Sequence, residues 1–384
     1  MMIGVLYPES LLNQLIRKKF SYEKPDFYVE AARKTGSEII FFCLSDISWK
    51  KGTVKSWNGA EAELVKRELP PVIINRTRTN SPLHKKWIQR LKARGKIIFN
   101  EHNVISKLKI HHILSKNNKL LPYLPVTDSV THQSVSELIE QNPCLFLKPR
   151  SASVGNGIIR ISRNNQDMVA EVNILGQTKR HKVGIDQIIN LIKSKKRSYL
   201  VQQGISLMEY EGNPVDFRVS IQKDGKGRWH YTGMVGKVAK KGAIVTNLHC
   251  GGHSIKVSEL FRNWGWKGVE IERKVSKLGI LIAQTLDQEL PHIADLGLDI
   301  AIDEHQHPWL IEANFRDLRI TFRDAGEKDK WRATFATPVY YAAHLIKKLK
   351  EQENRDLLKQ NELKISAVPA ADIIIPNSSI VIKE

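Results

Sequence analysis

Cysteine is scarce in this 384-residue chain: Cys43, Cys144 and Cys250 are odd in number and far apart. Such a set excludes a disulfide framework, lacks the paired spacing of a zinc site, and points to buried thiols in a reducing compartment. Long apolar runs are also missing, and no stretch approaches the roughly 20 residues needed to span a bilayer. Residues 1–7 lack the basic start and long apolar centre of a secretory signal and read as a first strand. The expectation is a soluble, cytoplasmic protein. No Gly-rich dinucleotide fingerprint follows that strand, because Tyr7-Pro8-Glu9 comes next. Zinc-finger spacing, a basic region feeding heptads and an aromatic RNA-binding signature are absent, which argues against nucleic acid as a partner.

What the chain does have is size and positive charge. A hydrophobic content of 41% over 384 residues allows two or three domains with real cores, and 26% charged residues excludes wholesale disorder. Sixty Lys and Arg against forty Asp and Glu give a formal charge of +20, which implies an anionic partner.

The most informative stretch is 296–314, LGLDIAIDEHQHPWLIEAN. Both arms alternate with period two around the polar run Asp303–Pro308, which predicts a hairpin. If the register is symmetrical about His305-Gln306, Asp299 faces Glu312, with Asn314 one step along the same face. Directly opposed Cβ atoms lie roughly 4.5–5.5 Å apart, so two like charges there are destabilising unless a cation intervenes. Two carboxylates and an amide oxygen form a hard-oxygen set of the kind Mg²⁺ prefers. The competing view is a pair of ordinary polar residues on the wet face of a sheet.

Elsewhere, strands at Ile3–Tyr7, Glu38–Leu44, Pro71–Asn75 and Lys96–Asn100 alternate with helices at Phe27–Thr35 and Leu83–Ala93, which predicts a small, mostly parallel α/β unit. A helix over Val104–Ser115 and a capping box at Ser134–Glu137 follow. The strand Cys144–Lys148 then runs into a small-residue loop and a second strand, Ile158–Ser162, as a flap. Ser151, Ser153, Gly155 and Gly157 let backbone N–H groups close on an anion, and Lys148 at the mouth supplies a point charge suited to phosphate. A simple turn is the alternative. Asp186 is read as the N-cap of a helix to Lys195, and Asp216–Gln222 pairs with Trp229–Gly236 as a hairpin. Ile271, Val275, Leu278, Ile282 and Leu286 trace one face of a long helix. Arg316, Arg319 and Arg323 cluster in a loop. Thr337-Pro338 then reads as the start of a helix to about Lys350, continued by a charged helical extension and a mixed tail.

In this order the pieces resemble the ATP-grasp superfamily: Lys148 with its flap, a strand at Val201–Gly204, Asp216-Phe-Arg218 on a hairpin, then Asp299, Glu312 and Asn314. Within it, FLKPRSASVGNGIIRI, DFRVSIQKDGKGRWHYTG, TNLHCGGHS and WLIEAN resemble the YheC/YheD endospore coat-associated family, over about residues 99–342. The resemblance implies an α/β (α+β) ATP-grasp fold with an N-terminal parallel-sheet α/β domain. The domains would be 1–98, the flap-bearing subdomain 99–205, the C-terminal sheet subdomain 206–350 and an extension 351–384. It implies ATP and Mg²⁺ as cofactors, and phosphoryl transfer to a carboxylate followed by attack of an amine.

Carried over by residue, Lys148, the 151–157 backbone and an upstream lysine would hold phosphates, with Lys107 chosen over Lys109. Asp299, Glu312 and Asn314 would hold the metal. Gln202, Gln203 and Ile205 would receive adenine through backbone groups, with Glu209 near the ribose. Asn247 would meet the substrate, as would Arg316 and Arg319 as carboxylate binders, with a plain solvated basic surface as the alternative for the two arginines. Three departures stand out: Gln-Gln at the hinge, Gly297 where some amino-acid ligases carry an arginine, and Phe-Arg-Asp-Leu-Arg after Asn314. Arg218 is the candidate to replace the missing arginine, with a simple ion pair to Asp216 as the alternative. The substrate would be an amino acid, a peptide or an anionic envelope precursor. Two other classes remain open: a spore-associated structural or binding protein that keeps the fold without turnover, and a polyanion binder driven by charge.

Overall fold

The structure is a computed structural model. It describes residues 1–366 except 20, 61–62, 79–80, 151–156, 165–166, 175–176, 196, 244, 247 and 249–250, with the backbone alone at 164, 173–174, 177 and 361–366. The N-terminal unit is built on a four-stranded parallel sheet in the order Glu38–Phe42, Met2–Leu6, Val72–Asn75, Ile97–Phe99. These strands are apolar on both faces because both are covered. Ile3, Val5, Ile39 and Phe41 point into one core, while Leu6, Ile40 and Phe42 point into another with Ile88 and Leu91. A small antiparallel sheet, Ile47–Ser48, Thr53–Ser56 and Val65–Glu68, was not anticipated; its strands are too short to carry a clear period.

The second sheet has six strands, beginning at the edge with Gln177–Lys182 and Asp167–Ile174 and passing through the flap strands Ile159–Asn164 and Cys144–Pro149. Tyr199–Gln203 and Thr127–Ser129 complete it. Helices His132–Gln141 and Ile185–Ser194 cover one face through Val135, Leu138, Ile188 and Ile192. Two caps differ from expectation. Thr131, not Ser134, caps the first of these helices and forms the box with Ser134, because Ser134 Oγ is taken up beneath the N-terminus. Gly184 precedes the second, leaving Asp186 in its first turn.

The third sheet is antiparallel: His253–Ile255, Trp229–Val238, Asn213–Lys223, Asp295–Ile302 and Pro308–Asn314, with Glu209–Tyr210 paired to Asn213–Pro214. Helix Gly268–Glu289 lays Ile271, Val275, Leu278, Ile282 and Leu286 against it, the face expected from the 3.6 period. Helix Lys107–Ser115 joins this same core through Ile110, Ile113 and Leu114, so it belongs physically with the third sheet and not with the flap.

The last helix, Lys328–Ser366, begins well before Thr337-Pro338, and Pro338 lies inside it. A proline there cannot donate to the carbonyl of Thr334. That carbonyl instead accepts Gln222 Nε2 at 2.8 Å from the third sheet, which removes the penalty that would otherwise end the helix. The same helix completes the N-terminal core with Phe335, Val339, Tyr341, Ala342 and Ile346.

The N-terminal unit and third sheet meet across a buried polar seam. Asp295 accepts Gln222 Nε2 (2.8 Å), Arg319 Nη2 (2.5 Å) and Arg76 Nη1 (3.4 Å). Arg76 also donates to Glu23 at 2.9 and 2.5 Å and to the Asp317 carbonyl at 2.6 Å. Asn100, at φ 55°, donates to the carbonyls of Asp295 and Phe315, both at 2.7 Å. Removing one side of such a buried pair leaves an uncompensated charge. Arg319→Met is therefore expected to lower unfolding free energy by about 3–5 kcal/mol, read from denaturant midpoints. A loss below about 1 kcal/mol would contradict this assignment.

Candidate active site

The three bodies enclose a cleft of about 700 Å³. The carboxylate hairpin forms its floor. Asp299 pairs with Glu312 and Gly297 with Asn314, as the symmetrical register predicts. Past Asp299 the ladder slips by one residue, with Ile300 opposite Leu310, so Ile311 is an extra residue, a bulge of the kind that bends a strand, and it lines the cleft.

The two carboxylates are not left facing each other. Asp299 Oδ1 accepts Arg218 Nε at 3.0 Å and Lys237 Nζ at 2.8 Å, while Oδ2 has longer contacts, to Asn314 Nδ2 at 3.2 Å and Arg218 Nη2 at 3.4 Å. Burial pushes Asp299 upward, but Arg218 and Lys237 outweigh it and hold the carboxyl well below the usual carboxylate range. Glu312 accepts Lys107 Nζ. Lys237 is a buried ammonium shared by Asp216 (3.0 Å) and Asp299. Burial acts to lower it, and those two carboxylates more than restore it, raising it above the ordinary lysine value. Sequence reasoning missed it because an isolated Lys in a strand carries no period; its one signal was an inward position in an otherwise apolar run, Met234–Val238.

Arg218 does not pair with Asp216. Its Nη1 donates to Asp317 Oδ1 at 3.0 Å, and Asp317, fully buried, also accepts Ser220 Oγ. This arrangement explains Gly297: a Cβ built there would stand 2.8 Å from Asp317 Oδ1. The space of a side chain at 297 is filled by the acid that orients Arg218.

On the wall of the flap sheet, Lys148 Nζ donates to Gln202 Oε1 at 2.5 Å, and Gln202 Nε2 donates to Thr127 Oγ1 at 3.0 Å. Burial, helped by nearby Lys107, pulls Lys148 down to about 8. Lys107 lines the cleft, whereas Lys109 is exposed on the helix. Gly157 sits at φ 79°, where an added Cβ would meet the Tyr199 hydroxyl at 2.9 Å. Ser151, Ser153, Gly155 and Asn247 lie outside the described residues.

Gln203, Ile205 and Glu209 are not among the cleft-lining side chains. Gln203 Oε1 accepts the Val126 N–H at 3.1 Å, and Glu209 is exposed, its carbonyl taken by Trp264 Nε1. Arg316 lines the cleft, with one long contact to the Arg76 carbonyl at 3.4 Å, and burial lowers its pKa. Arg319 does not reach the cleft. It is fully buried, donating to Tyr28 Oη at 2.7 Å and to Asp295, so its expected contact with substrate is corrected to a structural one.

The floor can accept a divalent cation. Asp216, Asp299, Glu312 and Asp317 surround three cations, Lys107, Lys237 and Arg218, an excess of negative charge; burial, opposed by Lys237, raises Asp216. Among the described residues Asp299 Oδ2 is held only by long contacts and Glu312 only by a flexible lysine, and Asn314 presents oxygen once its amide is turned. Among the described residues no group of three His, Cys, Asp or Glu forms a cage. Mg²⁺ needs none, since it is bound by one or two carboxylates with substrate phosphates supplying the rest. No helix among the described residues is long and apolar enough to cross a membrane.

Two outcomes follow from this geometry. Lys148 should acylate with a midpoint near pH 8, because burial favours its neutral form, while exposed lysines react with midpoints above roughly 10; peptide mass spectrometry across pH reads this out. Gly297→Ala should cost about 1–3 kcal/mol of stability in denaturant titration, since Asp317 has no room to retreat.

Comparisons with known proteins agree with this architecture. A family model described as YheC/D like ATP-grasp matches residues 95–345. The chain is 27% identical over 331 residues to endospore coat-associated protein YheD of Bacillus subtilis (strain 168), covering 82% of this chain and 72% of the relative. It is 24% identical over 310 residues to YheC of the same organism, covering 75% and 84%. Among solved structures, the D-alanine-D-alanine ligase from Coxiella burnetii matches with a TM-score of 0.50 at 9% identity, over 94% of this chain and 99% of that one. D-cycloserine synthetase DcsG matches at 0.50 and 10%, over 88% and 100%. These likenesses speak to the fold: the chain belongs to the YheC/D-like ATP-grasp family.

Proposed function

We propose that this protein is an ATP- and Mg²⁺-dependent carboxylate–amine ligase. The observation that carries the reading is the convergence of Lys107 and Lys148 with Asp299, Glu312 and Asn314 in one cleft, from three different elements of the fold. In this reading Lys148, Lys107 and the backbone of 151–157 hold the β- and γ-phosphates, and Gln202 positions Lys148 beneath the adenine-binding edge, where Gln203 and Ile205 offer backbone groups and Glu209 lies toward the ribose. Asp299, Glu312 and Asn314 would hold Mg²⁺, which when bound would neutralise charge on the transferring phosphoryl group.

Arg218, fixed by Asp299 and Asp317, is aimed by two acids and stabilises negative charge developing on the acyl centre. A substrate carboxylate oxygen attacks the γ-phosphorus, and the bond to ADP breaks. An amine then attacks the acyl phosphate, loses a proton and expels inorganic phosphate, leaving an amide. For Mg-ATP to enter, the Lys107–Glu312 pair must open, with Lys107 moving from the carboxylate to phosphate.

The curated relatives are named as endospore coat-associated, and that favours a second reading in which the protein is a coat or envelope component that holds nucleotide without turnover. The two separate in one experiment. ADP release is followed with Mg-ATP and a panel of amino acids and peptides, alongside calorimetric binding of a non-hydrolysable ATP analogue. Carboxylate-stimulated release supports the ligase; analogue binding with no stimulated release supports the second reading. In the first case Glu312→Gln is expected to lower turnover by at least about 100-fold while leaving thermal unfolding near the parent value. Unchanged turnover in that variant would sink the metal assignment.

A further inference from the structure

The charges in the cleft sort into three groups. On the floor, Lys107, Lys237 and Arg218 are each matched to carboxylates. On the flap-sheet wall, Lys148 and Arg150 have amide, carbonyl and hydroxyl partners and, among the described residues, no carboxylate. Where the loop after Asn314 meets the N-terminal unit stand Arg316, from that loop, and Arg78, from the unit, and neither forms an ion pair among the described residues.

Arg316 is the unusual one. A half-buried guanidinium with five N–H donors has, among the described residues, one acceptor, at a marginal 3.4 Å. The contrast with its neighbours is sharp, since Arg76 and Arg319, both buried nearby, are bonded to Glu23 and Asp295. A second observation stands beside it. Thr321 also lines the cleft, is 4% exposed, and its Oγ1 is buried with no hydrogen-bond partner among the described residues. An orphaned hydroxyl in helix Ile320–Asp324 and an unmatched guanidinium five residues earlier, in the loop that precedes it, both line the cleft, and an oxyanion bound there would satisfy both.

We propose that Arg316, Thr321 and Arg78 form a subsite for a second anionic group of the substrate, distinct from the carboxylate that is phosphorylated. The inference rests on the ligase reading for the first group, but the subsite itself is defined by these residues. The reacting carboxylate must lie over the floor beside the phosphates, where the cations are already paired. The unpaired cations Arg316 and Arg78 therefore select a substrate with two acids, such as an amino dicarboxylate or a phosphorylated amino acid. Arg316 supplies a planar fork for two oxygens, Thr321 donates its hydroxyl, and exposed Arg78 adds a screened long-range attraction.

The test uses the full chain with Mg-ATP and two matched pairs of probes, glutamate against glutamine and O-phosphoserine against serine. ADP release gives KM and kcat, and calorimetry with the non-hydrolysable ATP analogue gives binding alone. A preference of about 10-fold or more in kcat/KM for the charged member of either pair is expected, and the pair that shows it tells carboxylate from phosphate. Arg316→Ala should erase that preference, raising KM for the charged probe roughly 30-fold more than for its neutral partner, with partial recovery in Arg316→Lys. Thr321→Val, which keeps the shape of the side chain, should lose about 5-fold on the same scale. Equal kcat/KM for charged and neutral probes overturns the subsite, as does an Arg316→Ala variant that affects both members alike. If no probe stimulates ADP release, the ligase reading fails, and calorimetry still decides the subsite. Charged probes that bind and lose affinity in Arg316→Ala support it, whereas no binding at millimolar concentration overturns it.

Discussion

Asp295 is the point on which the architecture turns. Its carboxylate is buried, and its oxygens are shared among Gln222 of the central hairpin, Arg319 of the loop after the floor, and Arg76 at the end of the N-terminal sheet. Each partner comes from a different part of the chain, so the acid fixes three segments relative to one another at one place. Buried ions are costly unless every partner is present, and that cost makes the arrangement all-or-none. Glu23 extends it outward by accepting Arg76 and the hydroxyls of Tyr7 and Tyr28. The strand that begins at Asp295 then delivers Asp299 to the cleft, so the placement of the floor is inherited from the seam.

The cleft above it has the opposite logic. On its floor every cation is held by at least one carboxylate and has little freedom, while the two walls keep cations that form no ion pair among the described residues. A rigid floor with hungry walls suits a site that must bind anions from both sides and hold them in fixed relation. Gly297 shows how tightly the floor is packed, because the volume denied to a side chain there is the volume Asp317 needs to aim Arg218.

Much of this was legible in the sequence, where the signal was periodic. The facing of Asp299 and Glu312 followed from alternation in two short arms, and the apolar face of Gly268–Glu289 from a 3.6 spacing. The bulge at Ile311 was not legible, since nothing in a symmetrical pattern marks an extra residue. Charges whose meaning is tertiary were missed or misread. Lys237, Asp317, Asp295 and Glu23 look like ordinary surface residues until their partners arrive from distant segments. Arg319 was read as facing substrate because a loop arginine beside a floor residue looks exposed; its burial depends on Tyr28 and Asp295. Thr337-Pro338 looked like a helix start because the acceptor that excuses an internal proline, Gln222, lies more than a hundred positions upstream. Lys107 and Lys109 are not separable from the sequence alone, because the register of that segment is open there; in the structure the former lines the cleft and the latter is exposed.

The contribution of Phe335, Val339, Tyr341, Ala342 and Ile346 to the N-terminal core has a consequence for synthesis. Residues near the start of the chain, Ile3, Tyr7, Tyr28 and Phe41, share one apolar cluster with a helix translated some three hundred residues later. At roughly 5–20 residues per second, the ribosome needs on the order of tens of seconds to supply the missing side. During that interval the first sheet has one finished face and one covered only in part, by helices Glu9–Ile16 and Pro25–Lys34, with the places of Phe335, Val339 and Ile346 unfilled. The order in which the chain leaves the ribosome and the order in which it can close its core are therefore different. The nascent N-terminal unit is the part of this protein with most to gain from a chaperone's cover.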